Sequence, residues 1–139
     1  MFEKSRVVAG PVLMAGVLLI GACGSDDDNK APQQSASGQK QTAVQEVSET
    51  QEGLKKALAA YDPAKPAPAD ELVSETYLQH FEKVEGPLDK VDHELNEELE
   101  ETISTKIRAD IKKKVSRAQL EKLVKQTQTD LDTAKAKLQ

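Results

Sequence analysis

The chain has 139 residues, 31% of them charged, with a formal net charge of -5 and a mean hydropathy of -0.58. That length suits one domain, and an acidic chain with no basic arm, two tyrosines and two phenylalanines is not built to bind nucleic acid. A single cysteine excludes an intramolecular disulfide and any multi-cysteine metal site.

Residues 1–22 read as a signal peptide. Lys4 and Arg6 form a short basic start, Val7 to Ile20 is an apolar run of 14 residues interrupted by Gly10 and Pro11, and small residues follow. A permanent membrane span needs about 20 apolar residues, so the run is better suited to export than to anchoring. Ile20-Gly21-Ala22-Cys23 resembles the bacterial lipobox, an aliphatic residue and two small ones before a cysteine. That resemblance implies cleavage before Cys23, a diacylglyceryl group on its thiol and an acylated new N-terminus, with fatty chains such as palmitate. Two or three acyl chains anchor stably where one does not. The implied location is the cell envelope, lipid-anchored and facing the periplasm or the extracellular space. Residues 23–43, rich in Gln, Ser, Ala and Lys, have the composition of a disordered tether. Within it Asp26, Asp27 and Asp28 read as solvated spacer and not as a cation site.

Residues 44–139 are expected to form an all-α domain, a small antiparallel bundle of about four helices. The first stripe is Val44, Val47, Leu54, Leu58 and Tyr61. Asp62 to Pro68, with three prolines, is an extended connector. Asp70 is the expected N-cap of a second helix with the stripe Val73, Tyr77, Phe81 and Val84, ended by Gly86-Pro87. Pro87 can open a third helix carrying Leu88, Val91, Leu95, Leu99, Ile103, Ile107 and Ile111. Its steps of four drift about 40° each, so its two ends should meet different neighbours. Ser116 with Gln119 fits a capping box for a fourth helix, after Lys112-Lys113-Lys114; a helix continuous through Ser116 is the alternative. The last stripe is Leu120, Val124, Thr127, Leu131, Ala134 and Leu138. No segment alternates with period two, so no sheet is expected.

Charge separates along this domain. Residues 70–101 hold twelve acids against Lys83 and Lys90, while residues 102–139 hold four acids against ten bases. Adjacent acidic and basic helix surfaces are the plain explanation, with each exposed pair contributing about 1 kcal/mol or less. An acidic surface that attracts a cation or a basic partner is the sharper one.

Nothing in the chain suggests an enzyme: there is no Gly-rich phosphate loop, no free nucleophilic cysteine and no serine beside a base. His80 and His93 both sit among carboxylates, a mixture of side chains that suits a metal such as iron. On one helix Glu82 and Glu85 are i, i+3 neighbours whose carboxylates can converge, with His80 and Glu85 on opposite flanks of the apolar stripe. Asp89, His93 and Glu97 form an i, i+4, i+8 row that points to solvent. The Glu-x-x-His step of di-iron bundles is missing, because residue 77 is Tyr and residue 90 is Lys.

The run from Glu71 to Leu88, with Tyr77-Leu78, Phe81-Glu82, Glu85 and Leu88, is similar to the extracytoplasmic helical region that precedes the membrane domain of prokaryotic high-affinity iron permeases. Asp92, Leu95, Leu99 and Glu100 match the acidic segment that follows there, and the likeness in pattern covers about residues 50–138. No membrane-spanning permease domain follows in this chain, so the resemblance implies an accessory lipoprotein of iron uptake, either binding iron or docking on a permease. The metal candidates it suggests are His80, Glu82 and Glu85. The rival expectation is a structural or adaptor lipoprotein that pairs with another envelope protein or with itself and holds no metal.

Overall fold

The computed structural model describes residues 36–139, with side chains from residue 38 onward. The expected signal peptide at 1–22, the expected lipidation site Cys23, the three aspartates and the expected tether as far as residue 35 lie outside the described residues.

Four helical rods run up and down, with no strand among the described residues. The first is α1 (Ala36–Ala60). The second joins α2 (Ala67–Thr76) to α3 (Glu82–Asp89) through a π-helical turn at Tyr77–Phe81. The third joins α4 (His93–Glu101) to α5 (Ile107–Lys112) through another at Thr102–Lys106. The fourth is α6 (Arg117–Leu138). Polar contacts fix the antiparallel order. Gln51 and Gln128 each donate to the other's backbone carbonyl, at 3.3 and 3.0 Å, and Lys135 donates to Ser48. Asp70 at the start of α2 meets Arg108 on α5, and Asp92 before α4 meets Lys137 near the end of α6.

All six residues of the α6 stripe are buried, as the alternation of three and four predicts. On α1 the buried line is Ala43, Val47, Thr50, Leu54, Ala57 and Tyr61, which displaces Val44 and Leu58 to its half-buried flank. The helix therefore starts before residue 44. Residues 36–43, read from composition as tether, are its first two turns, because Ala, Gln and Lys are good helix formers and Ala43 continues the buried line.

The π turns explain how stripes with uneven steps share one core. At about 100° per residue, Val73 and Phe81 would lie about 80° apart on a regular helix; one inserted residue reduces that to about 20°. Leu99 and Ile111 would likewise lie about 120° apart, and the second π turn brings them to about 20°. Val73, Phe81, Val84 and Leu88 are fully buried together, as are Leu99, Ile103, Ile107 and Ile111. The expected drift is thus absorbed inside the helix.

Three boundaries differ from expectation. The second rod starts at Ala67, with Pro68 in its first turn, so Asp70 is not the cap; its carboxylate instead faces Arg108 at 2.8 Å. Gly86-Pro87 lies inside α3, because ending there would withdraw Leu88 from the core beside Val84. The break comes at Lys90–Asp92, where Asp92 is extended and its side chain accepts from the Leu95 amide at 3.1 Å. Val91, placed on the stripe by spacing, is consequently 40% exposed in this turn.

The break before α6 has both halves of the capping box: Gln119 N–H donates to Ser116 Oγ and the Ser116 N–H donates to Gln119 Oε1. The preceding turn is a Schellman closure, with Val115 N–H on the Asp110 carbonyl and Lys114 N–H on the Ile111 carbonyl. Lys114 pays for it with φ of 57°, the left-handed region that favours glycine. Tyr61 holds this turn to the end of α1: its hydroxyl donates to the Val115 carbonyl at 2.7 Å, and its own carbonyl accepts from Arg117.

α1 and α2 come close together at Gly53. A Cβ there would stand 2.6 Å from Cγ2 and 2.9 Å from Cβ of Thr76, and closer still to its Oγ1. Thr76 is itself held by a 2.7 Å bond from its hydroxyl to the Leu72 carbonyl. Gly53→Ala is expected to lower the unfolding free energy by about 2 kcal/mol despite its better helix propensity. Gly86→Ala, which meets nothing within 4 Å, should raise it by about 0.5–1 kcal/mol. Lys114→Gly should raise it by about 1 kcal/mol. Urea denaturation of the three variants checks all three signs.

Candidate functional site

The residues singled out from sequence lie on the second rod, and its π turn decides where they point. His80 is the fourth residue of that turn and is directed at α1, where its Nδ1–H donates to Glu46 Oε2 at 2.7 Å. Lys83 Nζ donates to the other oxygen of the same carboxylate at 3.0 Å. Glu46 is 15% exposed and His80 30% exposed, so this bridge is partly shielded from water. Burial pushes the Glu46 carboxyl up, but the hydrogen bonds from His80 and Lys83 outweigh it and hold the group below its ordinary value.

Glu85 faces a different neighbour. Its Oε1 accepts a 2.7 Å hydrogen bond from the Tyr77 hydroxyl. Residues eight apart would be about 80° apart on a regular helix, and the inserted residue aligns them to within about 20°. Tyr77 packs against Phe81, with ring centroids 5.9 Å apart and planes tilted by 33°. Burial, the bond to Glu85, and the negative charges of Glu85, Glu100 and Glu82 all push the Tyr77 hydroxyl well above its ordinary value, so it is a proton donor at any physiological pH. Glu82 itself is exposed and makes no side-chain hydrogen bond or ion pair among the described residues.

His80, Glu82 and Glu85 are therefore not brought to one point. His80 is committed to Glu46 and Glu85 to Tyr77. Among the described residues no group of three or more His, Cys, Asp or Glu is arranged to hold a metal ion. Iron could be held by this set only after both bonds are exchanged, so the residues as placed do not fit an iron centre.

The row Asp89, His93, Glu97 spans the break between α3 and α4 and is exposed, as expected for a solvated face. His93 lies between the two carboxylates, 2.6 Å from Asp89 and 3.3 Å from Glu97. The hydrogen bond to Asp89 and the charge of Glu97 raise its pKa.

Only part of the acidic segment is neutralised by the basic one. Asp70 pairs with Arg108 and Lys112, Asp92 with Lys137, and Glu101 with Lys106. The Arg108 hydrogen bond holds Asp70 below its ordinary value against the opposing effect of burial. Glu82, Glu94, Glu98 and Glu100 are exposed on α3 and α4 and have no cationic partner among the described residues. Buried Asn96 on α4 has a side-chain oxygen with no hydrogen-bond partner.

Two participants escaped the sequence reading. Glu46 lies 34 residues from His80, and nothing local marks it as a partner. The Tyr77–Glu85 bond was hidden because a regular helix does not align positions eight apart. No protein-family model, curated protein or solved structure matches this chain.

The depressed Glu46 carboxyl sets a pH dependence. A group whose folded pKa lies below its unfolded value, here about 4.5, adds stability above that value and loses it as pH falls through the folded one. Glu46→Gln is expected to cost about 1 kcal/mol at neutral pH. That cost should shrink as the pH is lowered from about 5 to about 3. Urea titrations across this range check it; a cost independent of pH would mean that ionised Glu46 is not what His80 and Lys83 hold.

Proposed function

We propose that this chain is a non-catalytic lipoprotein of the cell envelope, anchored through Cys23 and facing the periplasm or the extracellular space. In this reading it is accessory to iron uptake and works by docking its acidic α3–α4 surface on a basic partner, an iron permease. The observation that carries the docking mode is the set of exposed carboxylates at Glu82, Glu94, Glu98 and Glu100, for which the bundle offers no counter-charge. Unneutralised surface charge of one sign steers association with a complementary surface. Iron uptake as the setting rests on the similarity of Glu71 to Leu88 to the outer region of iron permeases. Iron held as a cofactor by His80, Glu82 and Glu85 is the weaker form of the reading, since two of the three are already bonded elsewhere.

The second reading is an adaptor that pairs with another envelope protein without metal, and the same acidic surface favours it. Self-pairing through the heptad of α6 has less support, because Leu120, Val124, Leu131 and Leu138 are spent inside the bundle.

Docking predicts that Glu94→Lys with Glu98→Lys abolishes co-purification with a co-expressed iron permease while the melting temperature changes little. Capture of the permease by this variant as efficiently as by the parent chain would remove the proposal. For the metal form, ferrous or ferric iron is expected to leave the melting temperature of the purified protein unchanged. A rise that disappears in Glu82→Gln with Glu85→Gln would reinstate a resident iron site.

A further inference from the structure

The end of the bundle where α1 begins carries a groove that the proposed docking surface does not use. It runs between α1 and α3, is lined by Gln39, Thr42, Lys83, Gly86, Pro87 and Lys90, and has a volume of about 400 Å³. A smaller hollow of about 70 Å³ continues it past Lys40 to Val91. Val91 is one of two large apolar side chains exposed among the described residues. Lys40 and Lys90 have no ion-pair partner among the described residues, whereas the neighbouring acids are engaged: Glu46 by His80 and Lys83, Asp89 by His93, and Asp92 by Lys137. The groove therefore presents lysine charge beside an apolar edge.

We propose that this groove seats the anionic phospholipid headgroups of the membrane that holds the anchor, with Lys40 and Lys90 on the phosphates and Val91 in the apolar boundary. The inference rests on the reading of Cys23 as the lipidated residue. Residues 24–35, twelve in all, separate Cys23 from Ala36. Fully extended they reach about 40 Å, so α1 starts within that distance of an acylated Cys23. The opposite end of α1, at Tyr61, is about 37 Å further along the helix. The groove is thus at the end of the domain that the tether joins. Lysines at an anionic surface bind cooperatively with a buried apolar contact, and each contributes about five-fold to affinity.

The chain has no tryptophan, so Val91→Trp supplies a single fluorescent reporter at the groove. In the lipidated full chain, its emission is expected to stay at the water-exposed position in phosphatidylcholine vesicles. It should move to the blue when phosphatidylglycerol is included. Adding Lys40→Gln and Lys90→Gln should remove the shift, and soluble glycerol phosphate with phosphatidylcholine vesicles should not reproduce it. No shift in phosphatidylglycerol, an equal shift in phosphatidylcholine, or a shift that survives both lysine changes overturns the proposal. A shift produced by glycerol phosphate alone overturns it in favour of a small-anion site. Mass spectrometry of the mature N-terminus separates the two layers: an acylated Cys23 without the shift sinks the groove and leaves the anchor, and an unacylated one removes both.

Discussion

The π-helical turn at Tyr77–Phe81 sets the direction of every side chain that follows it on the second rod. Without the extra residue, Phe81, Val84 and Leu88 would diverge from Val73 and could not all enter the same core. With it they are buried together, and the polar residues between them are turned by the same angle. His80 is thereby delivered to Glu46 on α1, and Glu85 to the Tyr77 hydroxyl. Core packing and the polar arrangement are two consequences of one insertion. The second π turn, at Thr102–Lys106, does the same for the isoleucine row of the third rod, and its polar counterparts are the Lys106–Glu101 pair across the turn and Arg108 on Asp70 just after it.

Close contact between α1 and α2 stands beside that turn. Gly53 meets Thr76, the residue immediately before the insertion, and the two helices come too near for any side chain at 53. A few turns away, Glu46 receives both His80 and Lys83. The first two rods are thus joined at one level by shape and at another by charge. The far end is closed differently, by Tyr61 on the α5–α6 turn and by Asp70 on Arg108. Such partly buried bonds gain their value from the cost of leaving any one partner unpaired.

Charge is distributed so that the bundle is polar in its surface as well as in its sequence. The basic segment meets the acidic one at Asp70, Asp92 and Glu101, which ties helices together but leaves α3 and α4 strongly acidic. The groove between α1 and α3 has the opposite character, with lysines beside Val91. In the proposed reading, the acidic flank and the lysine-bearing, partly apolar end are separate surfaces, one for a protein partner and one for a bilayer. That division is the physical content of the docking reading.

Residue types and their spacing alone determined the all-helical class, the number of rods, the α6 stripe and the capping box at Ser116, because each depends on neighbours within about one or two helical turns. Local pattern also marked the acidic and basic halves. Tertiary structure decided the rest. Gly86-Pro87 looked like an end, but burial of Leu88 carried the helix past it. Asp70 looked like a cap, but Arg108 claimed it from another rod. Glu82 and Glu85 were expected to converge, with His80 on the opposite flank, but Glu46 on another rod took His80 and Tyr77 took Glu85. In each case the competing partner lies on another rod or across an inserted residue, and the free energy that selects it arises only when the rods pack.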